Sequence, residues 1–170
     1  VSSAASDVYK RQFSTSYPSN GAPTLALLLT RTLEPNAQAY EMGDRTARPP
    51  YTLQNLRVTV NDMPPILRAS WLRGVSAMPN SFAHESYIDE LATAAGVDPL
   101  TFRLRYLDDP RARELLQATA AKAGWKMHDQ PQQQGAEGDV LHGQGIAWAR
   151  YVHSKWPGFG AAWAAWIADV

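Results

Sequence analysis

Apolar positions along the chain change period several times. Between residues 51 and 60, Leu56, Val58 and Val60 alternate with Arg57 and Thr59, the two-residue period of a strand. Residues 66–72 continue extended, with Leu67, Ala69 and Trp71 on one side and Arg68, Ser70 and Leu72 on the other. From Asn80 the period lengthens. Phe82, Ile88, Leu91, Ala92 and Ala95 recur at helical spacing, with Glu85 on the same stripe, Asn80 or Ser81 as cap and Gly96 as stop. Asp98-Pro99 and Asp109-Pro110 each set an acidic cap before a proline at the first helical position, which predicts two further helices. Leu100, Leu104 and Leu107 point inward from the first; Leu115, Leu116, Thr119 and Ala123 from the second, which Gly124 closes. Strands follow at 143–152 and 161–170. In the last, Trp163, Ala165 and Ile167 share one face and Ala162, Ala164, Trp166 and Ala168 the other, a pattern that predicts burial on both faces of a larger sheet.

The result is an α+β pattern, with mixed strands flanking three consecutive helices as a slice of a larger subunit. Residues 1–12 are set apart. Their DVYKRQ resembles one translation frame of a transposon end used in preparing sequencing libraries, so they are expected to be a non-native or disordered segment. Residues 13–125 hold the early strand and the helices, 126–139 form a polar linker rich in Gln and Gly, and 140–170 begin a strand-rich part. Within the second unit, 13–23 reads as loop, 24–33 fits a buried strand or a short helix equally, and 34–50 is a polar connection ending in Arg48-Pro49-Pro50.

Composition narrows the function classes. Lysine plus arginine and aspartate plus glutamate each number 16 in 170 residues, so no basic footprint for nucleic acid exists. Absence of cysteine excludes disulfides, thiolate metal sites and a chain-bound iron–sulfur cluster. The longest apolar run, near Leu25 to Leu29, is too short to span a bilayer. None of His84, His128, His142 and His153 pairs with another ligand at helical metal-binding spacing; His84 and Glu85 are adjacent and face different sides of their helix, and His128 and His142 are expected in solvent. No nucleophile elbow, Walker A loop or dinucleotide fingerprint occurs. Trp148, Trp156, Trp163 and Trp166 fit core packing better than an aromatic cage. Glu85 and Asp89 form a carboxylate pair on one helix; the expected role of Glu85 is to anchor a neighbouring loop, and Asp89 belongs at the helix edge. Arg103 and Arg105 are expected at the surface or in structural ion pairs.

The residual candidate is Arg73-Gly74, since glycine lets the backbone approach a ligand and a nearby arginine suits an anion or oxo group. Leu72-Arg73-Gly74, the NSFAHESYIDELA run from Asn80 to Ala92, Gly96-Val97-Asp98-Pro99-Leu100 and Phe102-Arg103 together resemble the molybdenum-binding large subunit of the molybdenum hydroxylases, the xanthine dehydrogenase and aldehyde oxidase superfamily. In that family an Arg-Gly loop precedes a helix of the type FA-x-E-S-x-x-DELA. Gly43-Asp44-Arg45, Asn55-Leu56-Arg57-Val58, Gly124-Trp125 and the glycine-led strand at 143–151 extend the resemblance over residues 43–170, closest to the nicotinate dehydrogenase and isoquinoline oxidoreductase type.

The resemblance implies an enzyme that hydroxylates an aromatic N-heterocycle or an aldehyde with oxygen taken from water. It implies a molybdenum–molybdopterin cofactor, in the cytosine dinucleotide form in bacteria. Electrons would pass to [2Fe–2S] clusters in a small partner subunit and on to a cytochrome or another acceptor. By position, the main chain of Arg73 lies against the molybdenum, Gly74 permits that approach and Val75 lines the substrate pocket. Xanthine dehydrogenases place a stacking phenylalanine at the Val75 position, so a purine substrate is not expected. The general-base glutamate of the family matches no residue here, so no catalytic residue is assigned and the segment alone is expected to be inactive. The family leaves the compartment open between cytoplasm and membrane-associated electron transfer. Two other readings fit the helices and caps: a small non-catalytic α+β interaction module, and a metal-free homologue.

Overall fold

The computed structural model describes residues 29–32, 46–61, 74–130, 134–137, 140–152 and 160–170. Residues 1–12, the proposed extended segment at 66–72, and Arg73, His153 and Trp156 lie outside them. Three helices come first: α1 Ala77–Ala94, α2 Pro99–Arg105 and α3 Pro110–Ala123. Strands β1 Gln134–Glu137 and β2 Val140–His142 form one antiparallel pair, and β3 Gln144–Val152 and β4 Ala161–Asp169 another. The expected α+β class is borne out. Among the described residues no helix is long and apolar enough to cross a membrane.

Both Asp-Pro starts form as expected. Asp98 accepts from the Thr101 amide at 2.8 Å, and Asp109 from the Arg111 and Ala112 amides at 3.0 and 3.3 Å. Each cap also reaches across the fold. Asp98 Oδ2 accepts from Trp125 Nε1 and the His128 amide, at 3.0 and 3.2 Å, which pins the chain leaving α3 back onto the start of α2. Asp109 Oδ2 accepts from Trp163 Nε1 at 2.8 Å and ties α3 to β4. That bond, more than the two amide bonds, holds the Asp109 carboxyl below its usual value. Gly124 ends α3 in the left-handed conformation, φ 66°, as a helix stop requires.

The core lies where α1 and α2 meet β3 and α3 covers β4. Ile88 and Ala92 of α1, Phe102 of α2, Ala112 and Leu116 of α3, and Ile146 and Trp148 of β3 are all buried in it, with Leu107 and Tyr51. The β3–β4 register sets Ile146 opposite Ile167, Trp148 opposite Ala165 and Arg150 opposite Trp163. Trp163, Ala165 and Ile167 pack against the core as one face, as their alternation predicts. On the other face Trp166 is 60% exposed, and nothing among the described residues covers it.

Several expectations are corrected. Residues 51–60 form no strand. Alternation orients side chains, but a strand also needs a neighbour for its amides, and none among the described residues supplies one. Leu56, Val58 and Val60 are accordingly exposed, and only the start is tied down, by the Thr52 amide bonding Tyr106 O at 2.7 Å. Helix α1 begins at Ala77, before Asn80 and Ser81, because Pro79 falls in the first turn, where a missing N–H costs nothing. The buried stripe is Asn80, His84, Glu85, Ile88 and Ala92; Phe82 stands six positions before Ile88, about 120° round the helix from it, and is 76% exposed, while Ala95, just past the helix end, lies in solvent. On α3 the buried ridge is Ala112, Leu116 and Ala120, with Ala123 exposed. The polar linker 126–139 is not wholly irregular, since its Gln134–Glu137 portion pairs with β2.

Candidate functional site

Helix α1 has two polar clusters, one at its middle and one at its entry. The middle one centres on Glu85, buried on the stripe that faces α2 and β3. Its Oε1 accepts from the Tyr51 hydroxyl at 2.7 Å; its Oε2 accepts from Arg103 Nε at 2.9 Å and from the Trp148 amide at 3.0 Å. Trp148 Nε1 in turn donates to the Tyr51 hydroxyl at 2.8 Å. All three nitrogens of Arg103, itself 0% exposed, are engaged: beside the Nε bond, Nη1 donates to Asp89 Oδ1 at 2.6 Å and to Pro99 O at 3.2 Å, and Nη2 to Glu85 O at 3.2 Å. Burial pushes the Glu85 carboxyl upward, opposed first by the Arg103 charge and then by its hydrogen bonds. Burial and the Glu85 charge raise the Tyr51 phenol, so it stays a neutral donor. Burial also pulls the Arg103 guanidinium down, but Glu85, Tyr51 and Asp89 outweigh it and its pKa rises. This is a locked junction in which both Glu85 oxygens, the Tyr51 hydroxyl and all three Arg103 nitrogens are engaged in structural bonds. Glu85 thus anchors a loop as its sequence position suggests, Asp89 sits at the edge with its side chain 43% exposed, and Arg103 is the structural member of the arginine pair.

His84 shares the burial of Glu85 on a different side. Its Nε2 lies 3.1 Å from Ala47 O and donates to it, since a carbonyl only accepts. Burial holds the imidazole below its ordinary 6.5, with the Ala47 bond acting the other way. The folded state therefore prefers the neutral ring. The stability this contributes is complete above about pH 6.5 and is lost as the pH falls below it. Unfolding midpoints recorded from about pH 7.5 down to pH 5 should fall more steeply for the native chain than for His84→Gln, which keeps a donor and cannot titrate. Parallel profiles would remove His84 as the cause.

The entry to α1 carries the proposed site residues. Gly74 and Val75 both adopt left-handed backbone, φ 82° and 54°. For a β-branched residue this conformation costs about 1–2 kcal/mol and marks a position that its surroundings force. The turn closes through the Ala77 amide to Gly74 O at 2.8 Å. Below it lie Ser76 and Asn80, both buried, bonded to Thr46 Oγ1 at 2.8 and 3.0 Å. A Cβ built on Gly74 meets nothing within 4 Å among the described residues, so none of them fills the space in front of this turn. Open space before a strained glycine turn fits a bound group approaching the main chain. No cluster of three or more metal-ligating side chains occurs among the described residues.

A cleft of about 430 Å³ is lined by Thr46, Arg48, Tyr51, His84, Asp109 and Arg150, with Glu85 and Trp148 of the junction also reaching it. Its walls mix both signs of charge. Trp148 is buried in the core, as its sequence reading expects; sequence patterns missed Thr46 and the hydrogen bonds of Tyr51 and Trp148, whose partners lie 30 to 97 positions away.

No family model and no solved structure matches the chain. Among curated proteins it is 69% identical, over 93% of its length, to one subunit of the nicotinate dehydrogenase of Pseudomonas putida. It is 35% and 32% identical, over 54% of its length, to the aldehyde oxidoreductase molybdenum-binding subunit PaoC of two Escherichia coli strains, O157:H7 and K12. The chain spans only 13% of the first relative and 14% of the others. All three relatives are oxidoreductase subunits by name. Over nearly its whole length the chain is thus similar to a stretch of a nicotinate dehydrogenase subunit, and over about half of it to a stretch of a molybdenum-binding aldehyde oxidoreductase subunit, both of the kind its Arg-Gly loop and helix signature resemble.

Proposed function

We propose that the protein to which this chain belongs is a molybdenum-dependent hydroxylase that oxidises an aromatic N-heterocycle or an aldehyde with oxygen from water and passes the electrons to [2Fe–2S] clusters in a partner subunit. The observation that carries this is the 69% identity, across nearly the whole chain, to a nicotinate dehydrogenase subunit. When bound, the molybdenum–pterin group, in its cytosine dinucleotide form, supplies the oxygen-transfer and two-electron chemistry. The part of this chain is to shape one wall. The main chain at Arg73 and Gly74 faces the cofactor, and no described residue fills the space before Gly74. Oriented amides there are suited to stabilise negative charge on an oxygen ligand without reorganising. Val75 presents an aliphatic side chain to the substrate, giving a pocket that excludes water but offers no stacking surface. The Glu85 junction fixes α1, the helix on which this wall is built, against α2 and β3.

The test is to purify the full subunit with its partner and measure molybdenum, pterin and turnover with nicotinate and with aromatic aldehydes. Near-stoichiometric molybdenum with water-derived oxygen in the product is the expected result. A fully folded complex lacking both metal and pterin would overturn the proposal.

A further inference from the structure

Ser76 occupies the N-cap of α1, yet its side chain makes no capping bond to the helix. Its hydroxyl is turned instead to Thr46, a residue 30 positions earlier, at 2.8 Å. Asn80, a poor helix former buried inside the first turns, does the same through Nδ2 at 3.0 Å. Thr46 Oγ1 thus joins two residues one helical turn apart, and the Asn80 amide bonds Ser76 O at 3.1 Å to close the cluster. Directly before this cluster stands Val75, in a backbone conformation that valine does not adopt unaided. Local sequence explains none of these choices: a serine cap that does not cap, an asparagine in a helix, a β-branched residue at positive φ. One device explains all three.

We propose that Thr46, Ser76 and Asn80 form a latch that holds Val75 in its left-handed conformation, making them positioning residues for the wall that Arg73, Gly74 and Val75 present to cofactor and substrate. The positioning role rests on the molybdenum-site reading above; the latch itself does not. Without the latch Val75 relaxes to negative φ, which swings its side chain away and turns the preceding amides. Asn80 Oδ1 is buried without a hydrogen-bond partner among the described residues. The latch therefore keeps one acceptor for a donor from outside them, and arrival of that donor would tighten it further.

The experiment uses the full subunit in its complex, prepared with and without molybdenum cofactor. Thr46→Val removes the hydroxyl at nearly constant volume. In both preparations it should speed amide hydrogen exchange across residues 74–80 by at least about tenfold, leaving α3 unchanged. In the cofactor-loaded complex, turnover should fall by about tenfold at unchanged molybdenum content. Val75→Gly supplies the discriminating background, because glycine needs no latch to remain left-handed. There, Thr46→Val should change exchange by less than about twofold. Equal acceleration in both backgrounds would mean that Thr46 only supports the helix, and would overturn the latch. Unchanged exchange in the single variant would overturn it too. Faster exchange with full turnover would overturn the positioning role alone. A native complex without molybdenum would count against the functional reading and leave the exchange test decisive for the latch.

Discussion

Arg103→Ala should destabilise the fold around α1, α2 and β3 by about 3–5 kcal/mol, the cost of leaving a buried charge without its partner. Its guanidinium is 0% exposed and supplies four hydrogen bonds, to Glu85 Oε2, Asp89 Oδ1, Pro99 O and Glu85 O. Removing it strands the Glu85 carboxylate in a site where Tyr51 and the Trp148 amide are its remaining donors. Lysine is a poor substitute. Its ammonium is a single point charge that cannot span both carboxylates and two carbonyls, so Arg103→Lys should recover less than half of the loss. Replacing the pair by apolar residues does not rescue the fold as it can for an isolated ion pair. Glu85 also holds a backbone amide of β3, and an apolar residue would leave that amide buried and unpaired. The measurement is hydrogen exchange at the Trp148 amide together with the urea midpoint of the folded subunit. A loss below about 1 kcal/mol would show that the junction is not a fixed unit.

How much of this is legible in the sequence follows from the range of the interactions. Both Asp-Pro helix starts and the Gly124 stop are readable because cap and helix lie within four residues of each other. Glu85 can be placed on a buried stripe from periodicity alone. Its partners cannot, for Tyr51, Arg103 and Trp148 stand 34, 18 and 63 positions away. Pattern also fails where it describes only half of what an element needs. Leu56, Val58 and Val60 alternate as strand residues do, but no neighbouring backbone pairs with them among the described residues. Phe82 reads as core when apolar residues are counted without their phase; it lies about 120° round the helix from Ile88, and the buried places on that side go to the polar Asn80 and Glu85. At the candidate site the position of Gly74 is readable as a turn. The left-handed Val75 is not, since no propensity rule places valine at positive φ.

Gly74 is where structural and functional roles separate most sharply. The glycine has φ 82°, and a Cβ there would meet no atom of the described chain within 4 Å. Within this chain alone, Gly74→Ala therefore adds backbone strain without a clash, worth about 1–2 kcal/mol. Gly74→Val adds a little more, because branching at Cβ narrows the allowed backbone further. If the open space before Gly74 is filled by the molybdenum cofactor, the added carbon enters that space. Molybdenum per protein and turnover should then fall by at least about tenfold in Gly74→Val, far beyond what a strain of this size does to a protein that stays folded at working temperature. Val75→Ala is the companion variant: it leaves the Gly74 approach intact, so molybdenum content should hold while KM for the substrate changes. Metal assay, unfolding midpoint and steady-state kinetics on the same preparations separate the effects. If Gly74→Val lowers the midpoint but leaves molybdenum and turnover at native levels, the turn serves the fold alone and the cofactor lies elsewhere. If metal and turnover collapse while the midpoint moves only by the strain, the open side of Gly74 faces the reacting centre.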